Sequence, residues 1–355
     1  MDLSSFNIVP KNALGIDIGT SSIKVVELSK WGERVKLENY GEVSISTFYE
    51  KPFRTFEKST LLLSSKDIAK AISAILEEAK TKERKAIFSI PDFSTFFTTF
   101  DLPQMSEEEI PTAVKYQARQ YIPLPLSAVT LDWQIIEGKT ANKKTPLKVL
   151  TVAVPNEVIN QYQEINSLAK LQLTALEAEA FSLSRALIGE DRRVVSIIDI
   201  GAQSTTVNIV EKKNLKISHS FDMTGNELTH ALSKSLNINY KEAEDLKRKY
   251  GLRPSEEKDI AQILYPLIDT IFIEIDKIFN NFYQVEKKEI QKIILAGGVA
   301  LLPGLKEYFF EKSKIEIEIA NPFADIFYPA ILDKNLKEMG PAFAIAAGAA
   351  LRGLE

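Results

Sequence analysis

A repeat constrains this chain more than any other feature. Residues 14–28 read LGIDIGTSSIKVVEL, and residues 195–210 read VSIIDIGAQSTTVNIV. Aligned, Asp17 lies over Asp199, Gly19 over Gly201, Ser22 over Ser204 and Val25 over Val207. Each copy is an apolar strand that carries an acid to its end, turns at a glycine through small polar residues, and resumes as a β-rich strand. One Asp-x-Gly marks an ordinary hairpin turn, since short motifs recur by chance. Two copies in register, about half the chain apart, predict two related halves that each open on a hairpin.

The length accommodates two halves, because 355 residues suit two or more domains better than one compact core. A chain that is 45% hydrophobic and 26% charged is globular in composition, and 44 basic against 48 acidic residues leave a net charge of −4. That balance demands no nucleic-acid partner. With no cysteine and two histidines, neither in a motif, the chain excludes disulfide scaffolding, cysteine nucleophiles and Cys-ligated zinc. The segment MDLSSFNIVPKN lacks the basic and apolar regions of a signal peptide, and no apolar run reaches the length of a membrane helix. A cytoplasmic protein is expected.

Residues 35–46 continue the first hairpin as a strand, and SSKDIAKAISAILEEAK changes to helical period with Ser64 or Ser65 as cap. Residues 86–91 form another buried strand. STFFTTFDLP then predicts a strand, SEEEIPTAVKYQARQYIPLP a helix ending before Pro123 and Pro125, residues 129–136 and 147–155 a hairpin around a polar turn, and residues 157–171 a helix. This stretch, 94–172, has the texture of a small α+β insertion. LEAEAFSLSRALI (176–188) predicts one buried helix. In the second half, residues 224–236 and 241–286 are helical, the latter broken near Gly251 and Pro254, and QKIILAGGVALLPGLKEYFFEK is strand, glycine turn and helix. GPAFAIAAGAALRG closes the chain as a small-residue helix able to pack closely at a domain junction.

The paired hairpins point to phosphate. A glycine turn lets the backbone approach a ligand that a Cβ would obstruct, and turn amides with hydroxyls receive phosphate oxygens. An acid repels phosphate but holds hydrated Mg²⁺, which keeps several waters and uses one or two carboxylates. Two such hairpins face to face would grip a triphosphate. Lys24 is either a point charge toward it or, by strand alternation, directed elsewhere. Gly297-Gly298 ends a hydrophobic strand and leaves a flat backbone surface for adenine.

As a set, these motifs resemble the phosphate 1, phosphate 2 and adenosine motifs of the actin-like ATPase superfamily, which includes actin, Hsp70, sugar kinases, MreB and FtsA. The 176–188 and 341–353 segments resemble its two connecting helices. Within it the insertion EEEIPTAVKYQARQYIPLPLSAVTLDWQII is similar to that of the PilM family of type IV pilus assembly proteins. The resemblance implies an α/β, two-lobed actin-like fold with duplicated ribonuclease-H-like subdomains and a 1C or SHS2-like α+β insertion. It divides the chain into a first lobe (12–93, 173–192 and 340–355), a partner-binding insertion (94–172), a second lobe (193–228 and 290–339) and a helical nucleotide-capping subdomain (229–289).

Carried onto this sequence, the resemblance implies phosphate contacts from Gly19, Thr20, Ser21, Ser22 and Lys24 and from Gly201, Ala202, Gln203, Ser204 and Thr205. Asp17 and Asp199 would hold Mg²⁺ through water. Glu244 and Lys247 would touch ribose, with Arg248 against adenine, and Gly297 and Gly298 would back the base. Gly225 and Asn226 match a Gly-Gly-Asn turn in which Thr224 replaces the first glycine. Glu179, with Glu177 beside it, is the candidate for orienting a hydrolytic water. The cofactors implied are ATP and Mg²⁺, with at most slow hydrolysis. The implied role is an ATP-binding scaffold at the inner face of the cell membrane, recruited by the cytoplasmic N-terminal peptide of a PilN-like protein and working with other pilus assembly proteins. A homo-oligomer is compatible with it. Two alternatives stand beside this reading: an FtsA-like cell-division filament protein, which predicts an amphipathic tail where this chain ends at ALRGLE, and a phosphotransferase, which predicts a substrate-loop aspartate that has no convincing equivalent here.

Overall fold

The computed structural model describes residues 10–44, 63–138, 145–254 and 259–355. Most of the segment MDLSSFNIVPKN and the middle of the polar turn after residue 138 lie outside them. β1 (Lys11–Ile18) and β2 (Ser22–Trp31) form an antiparallel pair that sets Asp17 opposite Lys24, and β3 (Arg34–Ser44) extends it. α1 (Ser65–Glu78) starts at Ser64, whose hydroxyl accepts the Asp67 N–H at 3.2 Å, and its stripe Ile68, Ile72, Ile75 and Leu76 is buried. β4 (Lys85–Ile90) runs parallel to β1.

β5 (Phe96–Leu102), α2 (Ile110–Ala118), β6 (Val129–Glu137) and β7 (Leu147–Pro155) build a module with its own three-stranded antiparallel sheet, ordered β5-β7-β6. Phe100, Leu102, Val114, Val129 and Val149 form its core. α3 (Asn156–Leu168) then leaves it. Val158, Tyr162 and Ile165 pack with Leu14, Ile16, Ile72 and Phe88, so α3 covers the first sheet although residues 94–172 are expected as one insertion. Its apolar stripe has its partners on the first lobe.

β8 (Gln172–Ala178) joins β4 in parallel, and α4 (Glu179–Leu187) follows at once. A continuous helix over 176–188 is therefore corrected. Leu176 pairs with Phe88 and Ala178 with Ile90, and this tertiary pairing overrides the helix propensity of Leu-Glu-Ala-Glu-Ala.

The second repeat forms β9 (Val194–Ile200), β10 (Thr205–Glu211) and β11 (Asn214–Phe221). Three helices follow, α5 (Gly225–Leu236), α6 (Tyr240–Tyr250) and α7 (Ile260–Glu286), with the break after Gly251 as expected. β12 (Lys292–Ala296), α8 (Leu305–Ser313), β13 (Glu316–Ile319) and α9 (Asp333–Arg352) complete the chain. The two large sheets run β3-β2-β1-β4-β8 and β11-β10-β9-β12-β13, each an antiparallel hairpin meander continued by two parallel strands. The duplication thus extends from a short motif to whole sheets, and the fold is the two-lobed α/β architecture.

α4 and α9 lie between the lobes. Ala346, Ala347 and Ala350 of α9 pack with Ala13, Val26 and Ile87 of the first sheet, while Ala344 and Ile345 join Ile197, Val210 and Ile294 of the second. A Cβ on Gly15 would stand 1.9 Å from the Ala346 carbonyl oxygen, and one on Gly348 1.9 Å from that of Ser182. The small residues let α9 seat against β1 and α4 at once. The module also reaches the second lobe: Ile136 and Leu150 enter the interlobe core, and Lys148 pairs with Glu286 at 2.6 Å.

Candidate functional site

The two hairpin turns face one cleft between the lobes, with a volume of about 990 Å³. Both turns close alike, the Gly19 N–H donating to the Ser22 carbonyl at 3.0 Å and the Gly201 N–H to that of Ser204 at 2.9 Å. Gly19, Thr20, Ser21, Ser22 and Lys24 line one wall, and Gly201, Ala202, Gln203 and Ser204 the other. Thr205 does not line the cleft. It begins β10, is fully buried, and its hydroxyl donates to the Met223 carbonyl, so it braces the turn from behind. Lys24 does face the cleft, its ammonium donating to Ser22 Oγ at 2.7 Å and lying 3.7 Å from Glu42.

Asp17 and Asp199 end equivalent strands and both line the cleft, 3% exposed in the case of Asp17. Burial pushes the Asp199 carboxyl up to about 7, with the charge of Asp17 adding to the effect. Two neighbouring cleft acids that resist simultaneous ionisation fit a divalent cation, which would relieve the desolvation penalty and the repulsion together. Among the described residues no cluster of three or more acids and histidines forms a protein-only cage. The donor set thus suits a cation that keeps most of its water. Ser89 Oγ donates to Asp17 Oδ1 at 3.4 Å and steadies it.

Gly297, at φ +86°, follows β12 directly behind Asp199; a Cβ there would lie 2.2 Å from Asp199 Oδ1. Gly298 lines the cleft and has open space where its side chain would be. Opposite, α6 brings Glu244, Lys247 and Arg248 to the cleft. Lys247 is also engaged within the protein. Its ammonium donates to the Gly225 carbonyl at 3.0 Å, to Thr229 Oγ1 at 2.8 Å and pairs with Glu244 at 2.6 Å, which uses its three donors. It ties α6 to the start of α5. Arg248 is three-quarters exposed, holds Glu244 at 2.8 Å and remains on the rim.

Gly225 and Asn226 are also committed in part to structure, their N–H groups donating to the carbonyls of Gly201 (3.0 Å) and Ala202 (3.1 Å). The start of α5 is thereby stapled onto the second turn, and the Asn226 amide is the group left facing the cleft. Tyr240, Phe343 and Met339 line it too. Sequence reasoning did not find them, because one aromatic on a charged helix and two apolar residues on α9 carry no motif; the Tyr240 hydroxyl donates to Asn226 Oδ1 at 2.8 Å.

Glu179 is the first residue of α4, 9% exposed, and lines the cleft. Glu177 ends on β8, where Arg185 grips it at 2.6 Å, and does not line the cleft. Of the two acids, Glu179 alone is placed to meet a ligand. Asp92, unmarked by any motif, is buried just behind it, and burial pushes its carboxyl up to about 6.

A second cavity, of about 290 Å³, opens between the module and the second lobe. Phe96, Phe97, Tyr121 and Ile122 line it on the module side, and its far wall is Ser218, His219 and Ser220 of β11. The first lobe contributes Asp92 and Phe93, and β5 and β11 come together beside the cavity. Both are edge strands of their sheets.

Comparison with known proteins places this geometry. The family model for type IV pilus assembly protein PilM matches residues 15–354. A solved PilM-PilN type IV pilus biogenesis complex superposes with a TM-score of 0.84 at 25% identity, covering 97% of this chain and 98% of that one. MreB5 of Spiroplasma citri, solved bound to AMPPNP, superposes at 0.51 with 13% identity over 96% of this chain and 95% of its own, and so shares the fold. The cell division protein FtsA of Streptococcus pneumoniae serotype 2 is 20% identical over 87% of this chain and 75% of its own length. No helix among the described residues is long and apolar enough to cross a membrane. Duplicated sheets, an interlobe cleft and a module in place of a simple loop thus accompany a family match across nearly the whole chain, and the chain belongs to the PilM family of type IV pilus assembly proteins.

Proposed function

We propose that this protein is a Mg·ATP-loaded scaffold of pilus assembly that captures the cytoplasmic N-terminal peptide of a PilN-like membrane protein and reaches the inner membrane through it. The observation that carries the nucleotide part is the meeting of both Asp-Ile-Gly turns, Gly297-Gly298 and Arg248 in one cleft of about 990 Å³, a volume suited to a nucleotide. The chain's residues would grip phosphates from two sides, hold hydrated magnesium at Asp17 and Asp199, and keep Glu179 near the terminal phosphate. Bound magnesium supplies charge neutralisation of the phosphates.

The peptide part is supported by the second cavity. Two edge strands with aromatic lining suit an extended segment, which bonds through its backbone and anchors a few apolar side chains. A free peptide orders on docking, so micromolar affinity is expected. Fluorescence anisotropy with a labelled cytoplasmic N-terminal peptide of a PilN-like protein tests it. Saturable binding to wild type, lost in Tyr121→Ala/Ile122→Ala while Mg·ATP still binds, is the expected result. Undiminished binding by that variant would place the partner elsewhere.

A further inference from the structure

Asp92 occupies the point where three parts of the molecule meet. It opens the 3-10 turn Asp92–Ser94 after β4 and is 3% exposed. Its Oδ1 accepts the Ala180 N–H at 3.0 Å, in the first turn of α4. The residue before that helix is Ala178, which offers no side-chain cap, so a carboxylate from the turn after β4 does the capping. In return the Asp92 N–H donates to Glu179 Oε2 at 3.4 Å. The exchange is reciprocal, as in a capping box, but bridges residues 87 and 88 positions apart. Its other oxygen, Oδ2, accepts Asn208 Nδ2 at 3.3 Å, and the Ser218 side chain of β11 also stands beside the carboxyl. Asn208 is fully buried on β10, the strand that leaves the second turn.

One side chain of the first lobe therefore holds the start of α4, its own backbone holds the Glu179 carboxylate, and its remaining oxygen holds the second lobe. Resting on the nucleotide reading of the cleft, we propose that Asp92 is a positioning residue: it aims Glu179 at the cleft and makes that aim depend on where the second lobe sits. Asp92 itself does not line the cleft. When the lobes shift about a ligand, Asn208 moves with the second turn and Asp92 transmits the shift to Glu179, so water orientation becomes available only in the closed form.

Asn208 Oδ1 is buried without a hydrogen-bond partner, and this makes a conservative test informative. In Asp92→Asn, Oδ1 still accepts the Ala180 N–H, and the new amide can donate to a flipped Asn208 Oδ1. The link survives. In Asp92→Ala both bonds vanish, and in Asn208→Ala only the interlobe bond does.

The chain has no cysteine, so Lys70→Cys on α1 and Ser235→Cys on α5 give a unique label pair, one on each lobe. Interlobe distance by spin-label spectroscopy, Mg·ATP affinity by calorimetry and phosphate release are measured together in wild type and the three variants. Mg·ATP should narrow the distance distribution in wild type and Asp92→Asn, and leave it broad in Asp92→Ala and Asn208→Ala. Turnover should fall about tenfold or more in both alanine variants while Kd changes less than about threefold, since neither residue touches the ligand. If Asp92→Ala fails to fold, Asn208→Ala carries the same prediction. Wild type that binds no Mg·ATP removes the nucleotide site and the Asp92 role with it. Wild type that binds and closes, with both alanine variants closing and turning over alike, overturns the Asp92 role alone.

Discussion

Asp199 shows how much one buried charge sets. Its carboxyl stands near 7 against an ordinary 3.8, so between those values the folded chain keeps a proton that the unfolded chain has released. Stability of the nucleotide-free protein therefore falls as pH rises from about 4 to about 7 and levels off above, with Asp92 steepening the same slope below about 6. Denaturant melts across that range should show the decline, and Asp199→Asn should flatten it; a flat wild-type profile would mean that the two acids titrate normally. Gly297 is the companion case. Gly297→Ala forces a side chain into left-handed backbone at a cost of roughly 1–2 kcal/mol and drives a methyl toward Asp199, so both the melting temperature and its rise with Mg·ATP should drop. A variant with wild-type melting and an unchanged Mg·ATP shift would show that the approach to Asp199 is not needed. The Asp, Gly and Ser positions were legible because their spacing repeats. Asp92, Tyr240 and the structural use of Lys247 were not, because each depends on partners far away in sequence.

At the level of elements, the hairpins, the capped α1 and the break between α6 and α7 follow from local pattern and appear where expected, while the small-residue α9 starts at Asp333, ahead of the expected segment. The error at 176–188 has a single cause. Strand β8 is short, carries two leucines and two alanines among its seven residues, and exists through its pairing with β4, which no local window contains. The correction matters for chemistry, since it places Glu177 on a strand and Glu179 at a helix start. α3 is a similar case: its amphipathic stripe is readable, but not the sheet it covers. α9 gives the sharpest test of packing at this scale. Gly348→Val would thrust a branched side chain where even a Cβ meets the Ser182 carbonyl at 1.9 Å, and overpacking of this kind costs roughly 1–3 kcal/mol or more. Both lobes should lose stability together in denaturant melts. Loss confined to one lobe would mean that α9 does not join them.

In the whole molecule, two copies of one sheet enclose a cleft, two helices join them, and an added module touches both lobes. The arrangement suits a clamp whose closed form is what a partner recognises, because the second cavity shares β11 with the lobe that carries the second turn. In the proposed reading both turns already line the cleft, while Glu179 comes into position to orient water only when the lobes close, so steady-state phosphate release should run well below the roughly 10 s⁻¹ typical of enzymes. Fast basal release abolished by Glu179→Gln with binding intact would instead mark a true ATPase. The most direct test of the clamp is calorimetric titration of ATP, with and without magnesium, into wild type, Asp17→Ala and Asp199→Ala. One ATP per wild-type chain, bound tightly only with magnesium and weakened about tenfold or more by either substitution, is the expected result. Affinity unchanged in both variants would contradict a site built from the two turns.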